Sequence, residues 1–217
     1  GLYNTQNKLL SFEANFKELD VTQLAFALPI FKGLQLNVNG QINGALNLAD
    51  QQKGLRHIVD NLAFSATLNH AGTIYLPQPL DIYYSVHNMV VKGAFTPHME
   101  QLNMSDSFVD IGGPTAEVAS TTTGIGSFLD TNDFSKVQTT FTASVHNVPV
   151  ISVPDVWPSS LGPDAHAWVK ENISGGMVND AHFVLTLKGE ELTSVKGLLD
   201  VQDTTVRYME QMPIVEH

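Results

Sequence analysis

Apolar side chains in this chain recur at every second position, and that period constrains the fold more than any other feature. Between Leu34 and Leu48, the even positions hold Leu34, Leu36, Val38, Ile42, Leu46 and Leu48. Gln35, Asn37, Asn39, Gln41, Asn43 and Asn47 fill odd positions between them. Successive side chains of a strand point to opposite faces, so this segment is a ribbon with one oily face and one uncharged polar face. The same alternation returns at Phe12, Ala14 and Phe16, at Phe64, Ala66 and Leu68, and at Ile82, Tyr84 and Val86. It continues at Phe141, Ala143 and Val145, at Phe183, Leu185 and Leu187, and at Val195, Gly197, Leu199 and Val201.

Gly, Pro and Asn separate these runs, as at Ala71-Gly72, Pro77, Pro79, Thr96-Pro97 and Gly112-Gly113-Pro114. Short strands with such punctuation predict a mainly β, antiparallel meander, a curved or twisted sheet that forms a groove or a sandwich. Asn39-Gly40 and Asn43-Gly44 predict a turn or bulge inside their ribbon. Residues 112–133, rich in Gly, Ser and Thr, read as a long loop or weak edge strand. They are the candidate for a boundary in what is otherwise a single unit spanning residues 1–217.

One segment departs from the period of two. Pro163 and Asp164 suit the first turn of a helix, and Ala165, Trp168, Val169 and Ile173 follow at i, i+3, i+4 and i+8. The spacing predicts a short amphipathic helix near 163–173, stopped by Gly175 and Gly176, with a strand from about Val178. Trp157 and Trp168 are expected to pack on each other or on the sheet.

Charge narrows the function classes. With 11 Lys and Arg against 22 Asp and Glu, the net charge is −11. Nucleic acid and anionic headgroups would be repelled, whereas burial of acyl chains needs no charge. Charged residues are 15% and hydrophobic ones 43%, which excludes a disordered chain or a coiled coil. There is no cysteine, so disulfides, thiol nucleophiles and cysteine-type metal sites are excluded. No run reaches the roughly 18 apolar residues of a membrane-spanning helix; Leu24 to Phe31 is short and contains Pro29. The chain has no initiator Met and reads as a piece of a longer, processed protein.

Chemical motifs are lacking. The eight histidines show no HxH, HxxxH or HExxH spacing, and read as strand-end residues. No GxSxG, phosphate loop or GxGxxG is present, and no pair of carboxylates stands out as a glycosidase would require. No enzyme activity, metal or cofactor is expected. Met89, Met99, Met104, Met177, Met209 and Met212 suit core filling or a surface that adapts to varied apolar ligands.

The stretch Trp157-Pro158, Leu161-Gly162-Pro163, Ala165, Trp168-Val169, Asn172-Ile173, Gly175, Val178 and Asp180-Ala181 resembles a signature of AsmA-like proteins. Within that group it is most similar to the domain of unknown function of the YhdP type. Val206-Arg207-Tyr208 and Met212-Pro213-Ile214 resemble the strand that follows, and His166 stands where the family more often has Arg. The resemblance implies a periplasmic β structure of the Gram-negative cell envelope, anchored in the inner membrane through its N-terminus. It further implies kinship with TamB-like proteins, which are proposed to carry phospholipid between inner and outer membranes, or a part in maintaining the outer membrane.

An oily sheet face can be covered by a second sheet, giving a filled sandwich, or can curl into a trough that takes acyl chains. Alternation is the same in both cases. On the trough reading, Leu34, Leu36, Val38, Leu46, Leu48, Phe64, Leu68, Ile82, Tyr84, Val86, Phe141, Val145, Phe183 and Leu185 would contact lipid. The signature residues Trp157, Pro158, Pro163, Trp168, Asn172, Gly175 and Asp180 would be structural. A sandwich would instead be a non-enzymatic binding module for carbohydrate or protein, with its function in loops.

Overall fold

The computed structural model describes residues 1–4, 8–26, 32–49, 54–78, 80–207 and 215–216. In chain order its elements are β1 (Leu2–Asn4), β2 (Leu9–Asp20), β3 (Leu34–Asn47), α1 (Leu55–Ile58), β4 (Val59–Leu76), β5 (Ile82–Val86) and β6 (Asn88–Phe95). Then follow β7 (Gln101–Asp110), β8 (Thr115–Thr123), α2 (Ile125–Thr131), β9 (Gln138–Pro149), α3 (Val153–Val156) and α4 (Pro163–Asn172). The last are β10 (Ile173–Ser174), β11 (Met177–Lys188), β12 (Glu191–Gln202), β13 (Thr205–Val206) and β14 (Val215–Glu216).

Eleven strands form one antiparallel sheet, curved and unclosed, in the order β1-β2-β3-β4-β6-β7-β8-β9-β11-β12, with β5 beside β4. Each long strand pairs with the next long one in sequence, through a tight turn between β11 and β12 and through the long segment 150–176 between β9 and β11, which is the meander that the alternation predicts. β10, β13 and β14 make a separate three-stranded patch.

The chain crosses the sheet after β9. Tyr84 on β5 donates its hydroxyl hydrogen to the Val156 carbonyl oxygen, 2.9 Å away, in the helical segment that leaves β9. Ser160 Oγ donates to the Leu80 carbonyl oxygen at 3.1 Å. Residues 150–172 thus form a strap that bridges from β9 to the β4–β5 hairpin.

Several expectations are corrected. Gly40 and Gly44 are not turns: β3 runs through both, with Gly40 opposite Phe16 and Gly44 opposite Phe12, and the irregularity expected there appears as register shifts beside them, between Phe16 and Leu19 and between Ala45 and Leu46. Glycine is present there because neighbouring groups crowd the position a Cβ would occupy. Residues 115–123 are not a loop or edge but β8, paired on both sides by β7 and β9. The helix ends at Asn172, before Gly175 and Gly176, because Ile173 and Ser174 pair with Val206 and Thr205. The two glycines, with φ of 69° and 80°, turn the chain into β11. Trp157 packs edge-on against His166, with ring centroids 5.9 Å apart. Leu48 lies in the turn after β3, where its amide donates to the Lys8 carbonyl oxygen. Pro79, Tyr208 to Ile214 with Met209 and Met212, and residues 27–31 of the apolar run with Pro29, lie outside the described residues.

Candidate functional site

Directly opposed residues of an antiparallel pair share a face, so the register shows which side chains line up across the sheet. One such line crosses nine strands: Ala14 opposes Ile42, which opposes Phe64, then Gly93 and Met104. From Met104 it continues to Ser120, Phe141, Leu185 and Val195. A second line beside it runs from Phe12 through Gly44, Leu62, Phe95 and Leu102. At ~4.8 Å per strand, nine strands give an apolar floor roughly 38 Å long, measured along the sheet.

Phenylalanine and glycine share this floor in directly opposed pairs: Phe12 with Gly44, Phe16 with Gly40, Phe64 with Gly93 and Phe183 with Gly197. Side chains on the inner side of a curled sheet crowd together. A Cβ on these glycines would meet ring atoms, at 2.5 Å for Phe64 Cζ, 2.6 Å for Phe16 Cζ and 3.2 Å for Phe12 Cε1 and Phe183 Cδ1. The Phe64 and Phe95 rings lie 6.5 Å apart, tilted by 45°.

Burial divides the floor into a sealed end and an open middle. At one end Val21, Leu36, Val38, Val86 and Met89 form a core cluster, with Leu36 at 4% exposure and Val86 at 0%. Val148, Val150, Val178 and Ala181 form a second cluster, to which the strap contributes Val150 and Val153. Along the middle line Ile42, Phe64, Met104, Phe141 and Leu185 are each only half-buried, and Val195 is 46% exposed. Hence Leu36, Val38 and Val86, expected to contact lipid, are enclosed by protein instead.

The remaining expected residues are partly buried and differ in what they pack against. Leu34 and Leu68 pack against the first cluster, and Val145 and Phe183 against the second. Phe64, Phe141 and Leu185 lie on the open line, and Leu46 lies nearer the opposite end, opposed to Leu10 and Val59. Ile82 borders a hollow of about 240 Å³ with Trp157, Pro158 and His166. Tyr84 acts as the clasp. Among the signature residues, Pro163 starts α4, while Trp168 is 39% exposed and its carbonyl oxygen accepts from Asn172 Nδ2. Gly175 turns the chain, and Asp180 pairs with His146 Nδ1 at 2.6 Å on the outer face.

Alternation would have found Ile42, and the run Met89, Val91, Gly93 and Phe95 also follows it. Leu102 and Met104 are harder to place because the phase slips at the bulge near Asp106, whose φ is 47°.

Two clasps tie segments distant in sequence. Burial pushes the Tyr84 hydroxyl up to about 12. An unfolded tyrosine ionises near pH 10. The contribution of Tyr84 to stability is therefore fully present below about pH 10 and is lost as pH rises through about 12, at about 1.4 kcal/mol per pH unit. Tyr84→Phe is expected to cost about 1–2 kcal/mol at neutral pH by leaving the Val156 carbonyl unpaired. It should also flatten the alkaline fall, as urea titrations of both proteins at pH 7 to 11.5 would measure. An unaltered alkaline limb would mean that Tyr84 does not hold the strap.

At the opposite end, Arg56 on α1 donates from Nε to Asp130 of α2 at 2.7 Å and from Nη1 to Glu100 at 2.8 Å. The Arg56 hydrogen bond holds the Asp130 carboxyl below its usual range, and Asp130 keeps Arg56 firmly protonated. This cluster ties the β3–β4 connection to the β8–β9 connection.

Among the described residues no three His, Asp or Glu side chains gather as a metal would need, and no helix is long and apolar enough to cross a membrane. Compared with protein-family models, curated proteins and solved structures, the chain gives no significant match.

Proposed function

We propose that this chain is a section of a non-enzymatic lipid conduit of the AsmA-like, YhdP type, in which phospholipid acyl chains lie along the apolar floor. The observation that carries the reading is the line from Ile42 to Val195, which is apolar over most of its length yet only half-buried. A soluble domain seldom leaves a large contiguous apolar surface open without a partner for it. Half of a bilayer's roughly 30 Å hydrocarbon core is ~15 Å, so the floor is long enough for an acyl chain, with ~0.8 kcal/mol gained per buried methylene. Among the described residues the second sheet consists of two-residue strands, too small to cover this line as a sandwich would. In the cell the reading places the chain in the periplasm, within a longer protein anchored in the inner membrane, serving transport between the two membranes or outer-membrane maintenance.

Lipid extraction and native mass spectrometry of the purified chain test it. Phosphatidylethanolamine or a related phospholipid is expected to copurify. Phe141→Asp puts a charge in the middle of the floor and should reduce bound lipid at least about tenfold, equivalent to ~1.4 kcal/mol. Far-ultraviolet circular dichroism should stay unchanged. Lipid retained at the wild-type level by Phe141→Asp would overturn the reading.

A further inference from the structure

Among the described residues two long strands have an open outer side: β12, which pairs only with β11, and β2 beyond Ser11, where β1 stops. β2 carries Glu13, Lys17, Glu18 and Asp20 there, and a register shift between Phe16 and Leu19, whereas β12 has far less to blunt it. β12 is also apolar where it is exposed: Val195 is 46% accessible, Leu198 71%, Leu199 44% and Val201 49%. Soluble proteins blunt such edges with charge, proline or bulges, since a bare edge is a template for another strand. From Ser194 to Val201, β12 pairs with β11 in an almost unbroken ladder and carries only Lys196 and Asp200 as charges. Neither forms an ion pair among the described residues, and Asp200 stands opposite Asp180, a like charge.

We propose that two copies of this chain join edge to edge through β12, antiparallel about a two-fold axis at Leu198. An isologous strand pair must present the same residues from both sides. Keeping the apolar face continuous further requires odd positions to oppose odd positions. Of the registers centred on residues 195 to 199, only that on Leu198 sets Lys196 against Asp200 of the second copy, and does so twice by symmetry. It also opposes Val195 to Val201, Gly197 to Leu199, and Leu198 to its own counterpart. The register centred on Lys196 would stack lysine on lysine. Charge complementarity thus selects one register, and the exposed Leu198 is covered at its centre. The pairing stands independently of the lipid reading; where both hold, the two floors join into one.

The absence of cysteine makes a direct test available. Opposed Cα atoms lie about 4.5–5.5 Å apart, within the ~4.4–6.8 Å that a disulfide spans. Leu198→Cys is therefore expected to give a disulfide-linked dimer under mild oxidation. Lys196→Cys, which faces Asp200, should not link to itself, but should link to Asp200→Cys when the two are mixed. In sedimentation of the uncrosslinked chain, Lys196→Asp or Asp200→Lys should weaken the dimer roughly tenfold, because like charges then oppose. The double exchange should return it to within about threefold of wild type. These positions are exposed, so unchanged thermal melts are expected and would confirm that folding is intact. A chain that sediments as a monomer throughout, equal crosslinking at 196 and 198, or charge variants without effect would each overturn the proposal. Lipid copurifying with a strictly monomeric chain would sink the dimer and leave the conduit standing.

Discussion

Leu36→Asp is expected to abolish cooperative folding near neutral pH, whereas Phe141→Asp, the same kind of change on the same face of the sheet, should leave the chain folded. Leu36 is 4% exposed among Val21, Val38, Val86 and Met89. Removing its side chain from the core costs about 2–3 kcal/mol, and enclosing a carboxylate with no partner costs several more. Together these approach the whole stability of a typical domain, ~5–15 kcal/mol. The new carboxyl would be pushed up by burial. Its penalty should therefore be smallest below the unfolded carboxylate range near pH 4 and grow as pH rises, so acid should recover part of the lost stability. Phe141 is half-buried on the open line, where a carboxylate can remain hydrated. Urea titrations at pH 7 and pH 4 separate the two variants. A Leu36→Asp chain that unfolds at the wild-type midpoint would mean that this end of the floor is open.

That contrast also marks the limit of what alternation conveys. The runs at Phe12, Leu34, Phe64, Phe141, Phe183 and Val195 all fall on one face, because the side-chain period of a strand is independent of what covers it. Mainly β, antiparallel architecture was therefore legible, as was the helix starting at Pro163. Whether a given leucine is sealed or open depends on contacts distant in sequence: Leu36 is enclosed by Val21, earlier in the chain, and by Val86 and Met89, much later in it. Nothing local to Leu36 or Phe141 distinguishes them. The stretch from Asn88 to Asp110 was obscured for a different reason: register shifts near Val91 and Asp106 change the phase, so Met104 reaches the floor out of step with Val109. Asn39-Gly40 was misread because a glycine kept for its lack of a Cβ looks in sequence like one kept for its φ.

Gly40→Val provides the test of that last distinction. Judged by strand propensity alone, valine in the middle of β3 should stabilise by up to ~1 kcal/mol. Judged by packing, it should fail, since a Cβ at Gly40 would meet Phe16 Cζ at 2.6 Å, Ala66 Cα at 3.0 Å and the Ser65 carbonyl oxygen. The ring could rotate away, but the backbone of β4 cannot yield without disturbing its ladder to β6. Overpacking of this kind costs about 1–3 kcal/mol, and here strained backbone adds to it, so a net loss of about 3 kcal/mol is expected. Gly197→Val is the matched control. Its nearest neighbours are Phe183 ring atoms at 3.2 and 3.3 Å, side-chain atoms that can give way, so the change should lie within about 1 kcal/mol. Chemical denaturation of both variants decides between the two accounts. If Gly40→Val proves as stable as the parent, glycine is not what makes room for the rings on the inner face. The tight curl that forms the floor would then need a different origin in the strands themselves.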